Sequence, residues 1–154
     1  MISRVPFASM RAMYTTLLVL HFIGLALGVG TGFAQMTLGI ATRNLAPPER
    51  AQFMMRASAL GRNGSIGLAL LLVSGIGMML LRGVSATMQW GGGAFHAKLT
   101  LVVVAIGVFG YLQVLVRRVR REGGGPAMAT LPKVGQVMLL VGIAIVICAT
   151  IAFQ

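Results

Sequence analysis

Two histidines, His21 and His96, a lysine two residues beyond the second of them, Lys98, and one cysteine, Cys148, are the side chains in this chain with the most to offer chemically. Both histidines sit within or at the edge of long apolar stretches, where an ionisable group is costly and is a functional candidate by default. A neutral imidazole presents a lone pair to a metal, and two of them on facing helices hold a haem iron between apolar walls. Imidazole is also a good copper ligand, and the 11 methionines could add thioether donors. Met78, Met79 and Met138, however, lie in apolar runs where methionine is ordinary packing. The plainer alternative is that His21 bonds a neighbouring backbone carbonyl and His96 is a polar residue at an interface.

Other chemistries are excluded by what the chain lacks. A single cysteine cannot carry out dithiol exchange or build a thiolate metal cluster. The only acids are Glu49 and Glu122, and neither lies in an apolar stretch. A proton-coupled exporter needs an acid embedded in the membrane, and none is available.

The elements that must position the histidines follow from charge. Of 154 residues, 57% are hydrophobic and 10% charged, with a mean hydropathy of +0.91. A soluble domain carries about a quarter charged residues. Four intervals contain no charged residue at all: Tyr14 to Thr42, Asn63 to Leu81, Leu99 to Val116 and Val134 to Gln154, which run 29, 19, 18 and 21 residues. About 20 apolar residues in a helix cross a hydrocarbon core of roughly 30 Å, and a helix satisfies its own backbone where water is absent. The expectation is an all-α integral membrane four-helix bundle, one domain over residues 1–154, with helices over about 14–42, 48–82, 95–117 and 133–153. The first interval is a span and not a cleaved signal peptide, because its apolar run continues past Ala34 to Ile40, beyond the length of a signal core.

The net charge of +11 then reports topology, with no call for nucleic acid. Nine basic residues, Arg43, Arg50, Arg56, Arg62, Arg117, Arg118, Arg120, Arg121 and Lys133, fall in the first and third connections, and four fall on the other side. The positive-inside rule puts both termini outside and these two connections in the cytoplasm, as in a bacterial inner membrane. His21 and His96 then share the outer half of the bilayer, at depths of about 6 Å and about 2 Å at 1.5 Å per residue. Lys98 can reach along the interface with its long stem.

The connections differ in character. Pro47-Pro48 ends the first helix and opens a basic extension of the second. Trp90 precedes Gly91-Gly92-Gly93, and Arg117 to Lys133 forms a solvated stop signal facing anionic lipid. Small residues at Gly24, Gly28 and Gly32, at Ser74, Gly75 and Gly77, and at Gly107 and Gly110 predict close helix packing.

The run Leu18-Val19-Leu20-His21-Phe22-Ile23 resembles the first helix of the HemJ-type protoporphyrinogen oxidase and CopD-like membrane families. Trp90 followed by Phe95-His96-Ala97-Lys98-Leu99-Thr100 resembles their third, and Met55-Arg56, Ser74-Gly75-Ile76-Gly77 and Leu131-Pro132 fall where those families have similar residues. The resemblance implies a haem b-binding membrane protein with His21 as axial ligand. It implies His96 as a second ligand or site residue, Trp90 beside the cofactor and Lys98 as the candidate catalytic cation. Porphyrinogen oxidation or electron transfer to quinone would be its activity. A copper-handling membrane protein, or an accessory subunit of a larger membrane complex or homo-oligomer, is the alternative. The lipid bilayer is the partner common to all of these readings.

Overall fold

The computed structural model describes residues 7–122 and 126–152, and the side chain of Trp90 lies outside what is described. Its elements are α1 (Phe7–Ala41), α2 (Pro47–Ala57), a single 3-10 turn (Ser58–Leu60), α3 (Gly61–Arg82), α4 (Val84–Glu122) and α5 (Pro126–Ala152). Four stretches are long and apolar enough to cross a membrane: Ala8–Ala41, Pro47–Arg82, Phe95–Glu122 and Thr130–Ile151. The chain is an all-α four-helix bundle, as its charge-free intervals require.

Exposure runs opposite to that of a water-soluble protein. Val73, Leu80, Val103 and Leu140 each expose 65–69% of their surface, while the fully buried Ser74 is polar. Apolar surface left in water costs about 25 cal/mol per Å², but in a bilayer the helices gain nothing by hiding it from lipid and associate through close packing and hydrogen bonds.

Close packing is centred on glycine. A Cβ on Gly67 of α3 would stand 2.6 Å from the Gly28 nitrogen and 2.8 Å from the Gly24 oxygen of α1, so these two backbones touch. Gly32 of α1 receives Leu139 of α5, and Gly77 of α3 receives Leu17 of α1. The bundle thus consists of two tight pairs, α1 with α3 and α4 with α5, joined along α1 and α5, whereas α3 and α4 touch sparingly. Gly107 and Gly110 depart from the expectation of close packing, since a Cβ on either would meet nothing within 4 Å.

Polar links supplement this at both ends. Gln113 Nε2 donates to Ser65 Oγ at 3.0 Å, Arg120 Nη2 donates to Ser58 Oγ at 3.3 Å, and Gln35 Nε2 donates to the Ala57 carbonyl at 2.9 Å. The Arg120 contact places the first and third connections at one end of the bundle, where their arginines gather. At the other end the Arg82 guanidinium lies over the Tyr14 ring, 4.9 Å from its centroid, and ties α3 to α1.

Helix boundaries depart from the sequence expectation in four places, each with a local cause. The first helix begins at Phe7 instead of residue 14, because Phe7 to Met13 contains no proline, glycine or β-branched residue to oppose it. The expected continuous helix over 48–82 is kept as one span but tightens to a 3-10 turn at Ser58–Leu60, after α2 has opened on Pro47 with Glu49 in its first turn and Arg56 in its last.

The second connection is almost entirely helical. Gly83 alone, at φ 85°, ends α3, and α4 starts at the next residue, with the Gly83 carbonyl accepting from both the Thr87 backbone N–H and the Thr87 hydroxyl. Gly92, at φ 54° and ψ −156°, then breaks α4, in a region open to glycine and little else.

The expected ends at 117 and 133 shift to Glu122 and Pro126. Arginine is a good helix former and favours the last turn, so the basic run remains helical. Its apolar members, Leu115 and Val119, are spaced one turn apart and pack against Met128, Leu131 and Val134 of α5. Pro126 takes the opening position of α5, which leaves Pro132 inside the helix.

Candidate functional site

The close approach of α1 to α3 sets the register that meets His21. With Gly67 against Gly24 and Gly28, the antiparallel partner of His21 is Ser74, two turns further along α3. The His21 Nδ1 to Ser74 Oγ distance is 2.9 Å. The Ser74 hydroxyl donates its only proton to the Leu70 carbonyl one turn back on its own helix, so towards the imidazole it can only accept. This arrangement favours the tautomer with the proton on His21 Nδ1 and the Nε2 lone pair available, and the Leu71 carbonyl also lies in reach of the imidazole. The ring rests on Gly75, where a Cβ would lie 3.5 Å from the His21 Cε1.

His96 is positioned by a different device. It follows the break at Gly92 by one turn, and its Nδ1–H donates to the Gly92 carbonyl at 2.8 Å. Its Nε2 is likewise left as an acceptor, but the side chain is exposed at the end of the bundle. Its ring stands edge-on to Phe95, which is buried, with centroids 6.5 Å apart.

The two histidines do not share a level. The Gln113 to Ser65 bond registers α4 against α3. Counting rise from that bond, His96 stands on the order of 10 Å nearer the Arg82 end than His21. The expectation of similar depth took the first helix to enter the bilayer near Leu17, whereas α1 starts at Phe7 and its apolar span at Ala8, which leaves His21 well inside the span while the third span starts at Phe95 as expected.

Lys98, half-buried on α4, lies within electrostatic reach of the His21 imidazole. The structure thus joins His21 to Ser74 and Gly75, sets His96 apart, and leaves Lys98 on α4 between the two levels, where its charge is felt at His21. Ser74 carries a signal in the sequence beyond its small size: it is the lone hydroxyl in the apolar run Ile66 to Leu81. Its pairing with His21 depends on the helix register, which the run does not encode.

This donor set can be matched to ligand classes. Among the described residues no three histidines, cysteines or acids converge as they would around a bare metal ion. A porphyrin brings four of its iron's ligands with it, so one imidazole with an available lone pair is a sufficient protein ligand. A cation beside that imidazole suits a ligand with a carboxylate. Comparison of the chain with protein-family models, curated proteins and solved structures finds no match.

Proposed function

We propose that this chain is an integral protein of a bacterial inner membrane that binds haem b through His21 and works in redox chemistry, as a porphyrinogen oxidase or an electron relay to quinone. The single observation that carries this reading is the Ser74 to His21 hydrogen bond. A ligating histidine characteristically donates its other ring N–H to a fixed acceptor, which sets the tautomer, orients the ring and raises the basicity of the ligating nitrogen. A histidine that only packs in an apolar bundle also needs an acceptor for its N–H, and the Leu71 carbonyl lies in reach of His21 as well; what supports haem binding is that the Ser74 bond directs the Nε2 lone pair away from α3.

Bound haem supplies one-electron exchange at a potential set by its axial ligand and surroundings. The chain's residues do the rest. His21 Nε2 ligates, Ser74 holds the ring, and Gly75 lets it lie flat against α3. Lys98 offers its ammonium to a propionate, and the apolar walls exclude water. His96, standing nearer the bundle end, acts as a second site residue. Haem is favoured over copper because a single imidazole suffices for a porphyrin iron, while among the described residues no further histidine, cysteine or acid converges on His21.

Gathering of the arginines at the end shared by the first and third connections supports a cytoplasmic assignment of that end by the positive-inside rule. The test is an absorption spectrum of the full-length protein purified from cells supplied with a haem precursor. A b-type Soret band that His21→Ala abolishes and His96→Ala retains is expected. A colourless wild-type preparation overturns the proposal.

A further inference from the structure

Away from the histidines, the outer face of the α4 and α5 pair carries a groove of about 400 Å³ lined by Gly107, Val108, Tyr111, Lys133, Val134 and Val137. Most of the lipid-facing surface is studded with branched side chains, Val103 and Leu140 among the most exposed. Gly107 interrupts that surface, since it has no side chain and no neighbour fills its place. The groove is polarised. Because α4 runs toward the arginine-rich end and α5 runs away from it, Tyr111 and Lys133 lie at the end of the groove nearer the arginines. Gly107 and Val137 lie one turn deeper. Among the described residues Lys133 has no ionic partner and the Tyr111 hydroxyl no hydrogen bond.

We propose that this groove is a binding site for an anionic phospholipid of the surrounding leaflet, with the headgroup phosphate on Lys133 and Tyr111 and an acyl chain over Gly107 and Val137. Charge complementarity selects the occupant. The nearby end carries Arg117, Arg118, Arg120 and Arg121 against two acids, Glu49 in the first turn of α2 and Glu122, which Arg118 engages at 3.9 Å. A positive field of this kind draws anionic headgroups toward the groove mouth. Depth also fits, because a lysine or tyrosine at the end of a span reaches the headgroup level while its stem covers apolar surface. A free phosphate would satisfy Lys133 and leave the apolar floor unused, whereas a phospholipid uses both.

Native mass spectrometry of the full-length protein, delipidated in detergent and titrated with dioleoyl phosphatidylglycerol or dioleoyl phosphatidylcholine, tests this. The wild type is expected to retain phosphatidylglycerol in preference to phosphatidylcholine. Lys133→Gln should weaken the anionic lipid about five-fold, the worth of one lysine at a membrane surface, and Lys133→Arg should restore it. Gly107→Phe should displace both lipids by filling the groove; its Cβ meets no neighbour, and the helical circular dichroism should match wild type. Equal retention of the two lipids, or retention unchanged by both Lys133→Gln and Gly107→Phe, overturns the proposal. So does displacement of phosphatidylglycerol by millimolar inorganic phosphate, which would mark a free-anion site, or by a short-chain quinone, which would mark a redox pocket.

Discussion

His21 and Ser74 are held 2.9 Å apart, nitrogen to oxygen, by a serine whose own proton is committed to the Leu70 carbonyl, and that commitment favours the tautomer that leaves Nε2 free. Replacing Ser74 by alanine removes the acceptor and lets the ring turn. Loss of such an outer partner costs roughly 10- to 100-fold in ligand affinity. If the chain binds haem as proposed, haem titration of Ser74→Ala, followed at the Soret band, should give a weakened complex with a shifted spectrum. An affinity equal to wild type would sink the orienting role.

Contact between the α1 and α3 backbones at Gly67 leaves no room for a methyl group. Gly67→Ala must separate the helices, and overpacking of this kind costs about 1–3 kcal/mol. Gly110→Ala, whose new Cβ would meet no neighbour within 4 Å, serves as the control and should change stability by less than about 0.5 kcal/mol. Thermal unfolding in detergent should separate the two variants clearly.

Gly92 breaks α4 with a conformation that suits glycine alone. An alanine there is strained by about 1–3 kcal/mol and disturbs the carbonyl that receives His96 Nδ1–H. Gly92→Ala should lower the unfolding temperature and alter the emission of Trp90, the single tryptophan. Gly93→Ala, at a residue with no positive φ, should do neither.

Gln113 reaches Ser65 across the sparsely packed α3 and α4 interface. Membrane hydrogen bonds of this sort average about 0.6 kcal/mol and reach about 1.7. A double-mutant cycle on Gln113→Leu and Ser65→Ala, read by unfolding in detergent, should return a coupling in that range. A coupling of zero would mean that this bond does not hold α3 to α4, leaving the two halves joined through α1 and α5 and through the Arg120 to Ser58 bond.

Orientation can be read by labelling. In a Cys148→Ala background, a membrane-impermeant maleimide applied to spheroplasts should modify Ser85→Cys at the exposed start of α4. Asn44→Cys, in the exposed connection after α1, should react only after the membrane is opened. The reverse pattern would invert the topology.

Sequence alone determined the fold class and the number of spans. Absence of charge over a bilayer's thickness leaves the chain no other way to satisfy its backbone, and the arginines mark one end whatever the packing. It also singled out His21, His96 and Lys98, because ionisable groups stand out within or beside apolar runs. Gly24 and Gly28 read correctly as contact points for the same reason of composition. Gly107 and Gly110, equally small, did not, since a missing side chain permits close approach without requiring it. What only the tertiary structure decided was register. His21 meets Ser74 because Gly67 sits on Gly24 and Gly28, and a hydroxyl 53 residues away in the chain thereby favours one tautomer. The level of His96 relative to His21 was decided the same way, by Gln113 on Ser65 and by the start of α1 at Phe7. Helical periodicity specifies the face a residue occupies; its partner on the next helix depends on how far the two helices slide, which the packing of small residues and hydrogen bonds sets.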